Sequence, residues 1–224
     1  MKNGTLYAGR LKKVYAKLKQ SGGPATPDEP DDPVRRLAIG VLGVTCGDEV
    51  AERALERLRA VMVDWNEIRV SSPPEIHAAI GDQVPDGVKR SEALKLALQS
   101  VYERENRMSL DRLKTLGRRE ARQALEKMRG VDDYAAACVV LWSLGGHAIP
   151  VSDRLWEAMK TAELVHPEAT RAEIQAFLER NISAAEAKDF CLAMRGFSLT
   201  TARAMSRSTA KPSSKGRALK RASK

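Results

Sequence analysis

Two helix-forming stretches, residues 118–127 and 134–144, flank the short segment Met128-Arg129-Gly130-Val131-Asp132-Asp133. That segment has room for a tight turn and little else, so a helix, a hairpin and a second helix are expected. Helices joined this closely point backbone N–H groups outward at the start of the second one, where the helix dipole adds positive potential. Such a turn suits an anion, and a phosphodiester in particular. Asp132 and Asp133 oppose this, because they put two carboxylates where the anion would dock. Asp132 is also a good capping residue for the second helix. Further on, Ile149-Pro150-Val151 leads into Ser152-Asp153, a hydroxyl fit to cap a helix and a carboxylate in its first turn. His147 lies in the loop between, where a histidine more often contacts solvent or a carbonyl than transfers a proton.

Cys46, Cys138 and Cys191 are odd in number and far apart, which fits a reducing compartment and excludes a disulfide framework. No two of them have the spacing of metal ligands, so neither zinc nor an iron–sulfur cluster is expected. There is no apolar run of the ~20 residues that a membrane span needs, and residues 1–20 lack the apolar stretch of a secretory signal. A cytoplasmic protein is the expectation.

Charge is unevenly placed. The net charge is +9, yet residues 1–20 carry six Lys/Arg and residues 201–224 carry eight, with no acid in either end. All 29 acidic residues lie between, against 24 basic ones. Basic arms on a mildly acidic centre suggest phosphate neutralisation at the ends, the alternative being that they only aid solubility.

The elements that must position these groups read as helices throughout. Aromatics make up 4% of the chain, and Ala, Leu, Arg and Glu dominate, which favours helix over strand. Residues 6–18 form a basic amphipathic helix, with Lys12, Lys13, Lys17 and Lys19 on a charged face. Residues 21–32, rich in Gly, Pro and Asp, form a linker. Helices follow at 34–44, 48–63, 74–80, 88–106, 110–113, 118–127, 134–144, 153–162, 171–181 and 184–196. Asp48, Ser109, Ser152 and Ser183 are expected to cap first turns, and Gly81, Gly117, Gly130, Gly145 and Gly196 to mark boundaries. Trp65, Trp142 and Trp156 are read as packing residues. Residues 201–224 form a basic tail, disordered at least from Ser206.

The order of these signals resembles the endonuclease III type of helix-hairpin-helix DNA glycosylase. Gly130-Val131, the pair Ala135-Ala136, the apolar run through Cys138, Val139 and Val140, then Leu144-Gly145 and Ile149-Pro150-Val151 carry the likeness. Upstream, Asp32-Pro33, Leu37-Ala38, Val41-Leu42 and Thr45-Cys46-Gly47-Asp48 look like the family's first core helix and its turn. The resemblance spans residues 32–197. It implies an all-α, two-lobed glycosylase-like fold, with a central lobe at about 48–150 and a second lobe from 33–47 and 151–200. It implies a monomer that binds double-stranded DNA without a small-molecule cofactor, through Arg129, Gly130, Val131, Asp132 and Tyr134. Thr45 falls near the position that fills the gap left by a flipped base.

The implied reaction is hydrolysis of the N-glycosidic bond of a damaged or mispaired base. Three family positions are changed, however. The second hairpin glycine is Asp132, the lysine that forms a Schiff base is Tyr134, and the catalytic aspartate is Ser152. A phenol cannot form the imine, so strand cleavage by that route is lost while base release is not. Ser152 offers no charge to a developing sugar cation; Asp153 is the adjacent acid, turned by about 100° around a helix. Two alternatives are a non-catalytic DNA-binding or scaffold protein with this fold, and a helical adaptor without DNA affinity.

Removing residues 201–224 should flatten the fall of log K for duplex DNA with log salt, each neutralised phosphate contributing about −0.9 to the slope. An unchanged slope, measured by fluorescence anisotropy across salt concentrations, would move the contact onto the folded core.

Overall fold

The computed structural model describes residues 3–20 and 31–209, and among these every regular element is a helix. In chain order they are α1 Gly4–Gln20, α2 Pro33–Gly43, α3 Asp48–Val61, α4 Trp65–Val70, α5 Pro73–Ile80 and α6 Gly87–Glu105. They continue with α7 Arg118–Glu126, α8 Asp133–Trp142, α9 Asp153–Thr161, α10 Arg171–Asn181 and α11 Ala187–Thr209, with short 3-10 turns at Asp111–Thr115 and Ala184–Glu186. The linker at 21–30 and the tail from residue 210 lie outside the described residues. No helix among the described residues is long and apolar enough to cross a membrane.

Local chemistry explains most boundaries. Asp32 accepts a hydrogen bond from the Arg35 N–H at 2.7 Å and Pro33 opens α2, where a missing N–H costs nothing. The expected helix over 48–63 stops at Val61, because Asp64 caps a separate helix by accepting from the Glu67 N–H at 2.8 Å. The segment expected to be helical at 110–113 is a 3-10 turn. Gly196 does not end its helix. Thr200 and Thr201 hydroxyls bond back to the Phe197 carbonyl at 2.9 Å, Met194 and Ser198 are buried on either side, and α11 runs on to Thr209. Packing there outweighs the roughly 1 kcal/mol that a mid-helix glycine costs. The basic tail expected from residue 201 therefore begins as helix, and a truncation that spares α11 starts at residue 210.

The helices pack in two groups. α2 lies against α3, α6 and α8, while α4 and α5 pack on α6, α5 also packs on α3, and α7 packs on α8. α1 and α9 pack on α11 instead, and α10 packs on α9. The segment 33–47, expected in the second lobe, thus packs with the central helices, because α2 is apolar on nearly every face and buried from Pro33 to Gly43 save for Arg35. α8 is likewise buried from Tyr134 to Trp142. The two buried helices cross closely at Gly40, where a Cβ would stand 2.7 Å from the Ala135 Cα. Tyr7, Leu11 and Tyr15 bury one face of α1 on α11, with Tyr15 edge-on to Phe190 at 5.1 Å, and Lys12 and Lys13 face solvent.

The hairpin between α7 and α8 rests on α6. Gly130 has φ +78°, and a Cβ there would collide with the Ala93 carbonyl oxygen and lie 2.8 Å from the Ala97 nitrogen. Gly130→Ala should therefore cost at least about 2 kcal/mol, from left-handed backbone and overpacking together. Urea unfolding measures it; a change below about 0.5 kcal/mol would mean that the turn is not held against α6.

Candidate functional site

The α7–α8 turn is built from the backbone outward. The Arg129 N–H donates to the Ser100 hydroxyl at 3.1 Å and the Val131 N–H to the Met128 carbonyl at 3.3 Å, so α6 fixes the height of the turn. Asp132 caps α8 by accepting from the Ala135 N–H at 2.9 Å. The two carboxylates at this mouth are unequal. Asp133 is exposed, whereas Asp132 is half-buried with Arg90 3.6 Å away. Burial pushes the Asp132 carboxyl above its ordinary range, against the opposing pull of the Ala135 N–H, Arg171 and Arg90. The Arg129 side chain is exposed and paired with both Glu103 oxygens, at 2.8 and 2.9 Å.

Tyr134 points away from this surface into the protein. Its hydroxyl donates to Asp48 Oδ1 at 2.5 Å, and Asp48 Oδ2 accepts from Arg195 at 2.8 Å and Arg36 at 3.3 Å. Burial, followed by the adjacent Asp48 charge, drives the phenol well above its usual range, so Tyr134 stays a neutral donor. Arg36 is also bound by Asp31 and stacks over Trp142 with its guanidinium carbon 5.4 Å from the ring centroid. Its burial disfavours the charge, but Asp48 and Asp31 outweigh that and hold it protonated. Glu52 lies 4.0 Å from both arginines, and burial raises its carboxyl.

Asp48, Tyr134, Trp142, Ser152, Cys191 and Arg195 line a cavity of about 50 Å³ between α3, α8, the start of α9 and α11. That is room for a few waters. Burial pushes the Cys191 thiol far up, away from the thiolate form.

The sequence-derived candidates divide between these two places. Arg129, Gly130, Val131 and Asp132 form the turn, while Tyr134 and Ser152 meet at the cavity. Ser152 is buried and caps α9, its hydroxyl accepting from the Leu155 N–H at 3.2 Å. Asp153 is not a cavity residue; its carboxylate is paired with Arg171 at 2.8 Å and partly exposed. Its own N–H donates to the Val44 carbonyl at 2.8 Å, tying α9 to the end of α2. Thr45 sits half-buried in the turn after α2, with its hydroxyl oxygen buried and without a hydrogen-bond partner among the described residues. It caps nothing, since the cap of α3 is Gly47. His147 holds the α8–α9 loop through the Ile182 carbonyl at 3.0 Å.

Sequence reasoning missed Asp48, Arg36 and Arg195 as site residues. Asp48 was expected to cap α3, and no local spacing links it to a tyrosine 86 positions away. Among the described residues no group of three or more His, Cys, Asp or Glu could hold a metal ion.

Asp132→Asn should keep the cap, as Asn and Asp cap equally well, and remove a carboxylate from the turn. Because the folded-state carboxyl is raised, ionising it costs stability as pH rises through its folded pKa. The Asn variant should therefore be at least as stable at neutral pH, with the advantage vanishing in acid. Anisotropy titration should also find it about two- to tenfold tighter on duplex DNA at low salt. Weaker binding would mean that the turn is not where the anion docks.

No protein-family model and no curated protein sequence matches this chain. Solved structures do match by fold. An endonuclease III trapped as a covalent intermediate with DNA aligns with TM-score 0.65 and 16% identity, over 85% of this chain and 85% of that one. The Clostridium acetobutylicum 8-oxoguanine glycosylase/lyase, in complex with double-stranded DNA, aligns with TM-score 0.66 and 16% identity, over 91% and 71%. The H. pylori 3-methyladenine DNA glycosylase bound to 1,N6-ethenoadenine aligns with TM-score 0.63 and 15% identity, over 87% and 97%.

Proposed function

From the helix-hairpin-helix DNA glycosylase fold of this chain, we propose that the protein docks duplex DNA on the α7–α8 turn. There it hydrolyses the N-glycosidic bond of a damaged or mispaired base and leaves the strand intact. One observation carries this reading. Tyr134, four residues beyond Gly130, belongs to the first turn of α8 and also lines the cavity with Ser152. A phosphate held at the turn therefore brings its neighbouring sugar toward that cavity. Exposed Lys12 and Lys13 on α1 and the basic residues of the C-terminal end add further phosphate neutralisation, which contributes affinity without sequence preference.

The cavity is narrow and partly open, and an extruded nucleotide would enter it against the α11 wall around Met194, Arg195 and Ser198. Strand scission by imine chemistry is absent from this reading, because Tyr134 has no amine and its phenol is already committed to Asp48. A second reading, a duplex binder without catalysis, is favoured by the Ser152 hydroxyl serving as a cap and by the Asp153 carboxylate serving Arg171.

The test is a panel of duplexes bearing damaged and mismatched bases, assayed for base release with and without later alkaline cleavage. Release that becomes visible only after alkali, with no adduct trapped by borohydride at the α8 residues, is the expected result. Tight, salt-dependent binding with no release from any duplex selects the second reading, and an adduct at the hairpin helix contradicts the first.

A further inference from the structure

The proposed hydrolysis needs a negative charge facing the sugar, and neither expected acid position supplies one. Ser152 is neutral, and Asp153 is held outside the cavity by Arg171. The carboxylate that does line the cavity is Asp48, on the first turn of α3, across from Ser152. We infer that Asp48 is the catalytic carboxylate of this protein, stabilising from α3 the sugar cation that Ser152 cannot stabilise from α9. The inference rests on the glycosylase reading above.

Geometry supports it in three ways. An ionised carboxylate offers about four acceptor sites, and Tyr134, Arg36 and Arg195 occupy three of them, leaving capacity on the side of the cavity. These donors also fix the carboxylate before substrate arrives, so no reorganisation is needed as charge develops. Finally, the arginines do not cancel it. Arg36 is shared with Asp31, which Arg35 also binds, and Arg195 approaches Glu52, so three cations stand among three carboxylates and neither arginine is committed to Asp48 alone.

In the step itself, the bond from C1′ to the base nitrogen breaks and its electron pair leaves with the base, which takes a proton from solvent. The cation at C1′ and the ring oxygen is stabilised by Asp48. A water oxygen then bonds to C1′ and releases its proton to solvent, giving the abasic sugar and the free base. The space beside Asp48 has room for water, as the nucleophile requires. Asp48 changes no covalent bond and keeps its charge throughout.

The experiment uses the full chain and the best substrate duplex from the panel. Asp48→Asn keeps the shape and an acceptor for Tyr134 but removes the charge, and should slow single-turnover base release by about two to three orders of magnitude. Duplex affinity should stay within about threefold, as should the release rate of Asp153→Asn. Asp48→Glu, which retains the charge for the arginines but displaces it, serves where the Asn variant does not fold, and should lose about tenfold or more in rate. Wild-type activity kept within threefold in both Asp48 variants would overturn the assignment of Asp48 alone. Wild-type activity lost instead in Asp153→Asn would return the role to that residue. A wild type inert on the whole panel would remove the glycosylase reading together with this inference.

Discussion

Asp48 accepts a hydrogen bond from Tyr134 on α8 and ion pairs with Arg36 on α2 and Arg195 on α11, so one side chain at the first turn of α3 fixes three other helices. A charge as deeply buried as this persists only when it is paired and its lone pairs are satisfied. Asp48 meets that condition with donors from both groups of helices, since α11 packs with α1 and α9 whereas α2 and α8 form the other buried layer. The ion-pair cluster is therefore the polar seam between two largely apolar assemblies. Removing Asp48 would leave Arg36 to Asp31 and Arg195 to the more distant Glu52, so the cost falls below the roughly 3–5 kcal/mol of a fully orphaned buried charge. Apolar residues of equal volume could hold the same helices together. Such a seam makes better sense as a device for placing charge than as a source of stability.

The surface turn and the buried seam are mechanically joined through α8. Gly130 lets the hairpin sit on α6, Asp132 caps the helix that follows, and Tyr134 carries the first turn of that helix into the cavity. From the other side, the Asp153 N–H holds the start of α9 to the Val44 carbonyl, and the loop leading to it is pinned by His147 and by Glu179, whose carboxylate accepts from the Ile149 N–H at 3.2 Å. The turn and the cavity are thus a few residues apart on rigid elements, which suits the proposed reaction, in which a phosphate contact positions the adjoining sugar. Arg90 and Arg171 moderate the carboxylates at the turn, so the acidic appearance of Asp132-Asp133 overstates the repulsion a phosphate would meet.

Much of this was legible in the sequence, and the limits were physical. Helical periodicity, the tight turn at Gly130, and the caps at Ser152 and Asp132 are local signals, and each appears where the sequence places it. The all-helical fold follows from them and from the order of the motifs. What local signals cannot encode is a partner chosen through space. Asp48 looks like an ordinary capping residue, and its neighbour Gly47 takes the cap instead while the carboxylate turns inward to Tyr134. Arg36 and Arg195 each look like a surface cation on a helix. Gly196 reads as a stop because its propensity is poor, yet burial of Met194 and Ser198 carries α11 through it. Asp153 lies apart from the cavity that Ser152 lines, as its spacing suggested. One position further along the helix faces another direction, and Arg171 waits there.

The central claim is that one duplex docks with a phosphate on the α7–α8 turn and the adjoining sugar before Asp48. A crystal structure of the full chain bound to a duplex containing a stable, positively charged abasic-sugar analogue tests it most directly. The expected complex has backbone N–H groups of the turn on a phosphate oxygen and the cationic ring within hydrogen-bond or ion-pair reach of the Asp48 carboxylate, against the α11 wall at Arg195 and Ser198. A duplex bound with its sugar remote from Asp48, or held by the basic ends alone with the turn facing solvent, would contradict it.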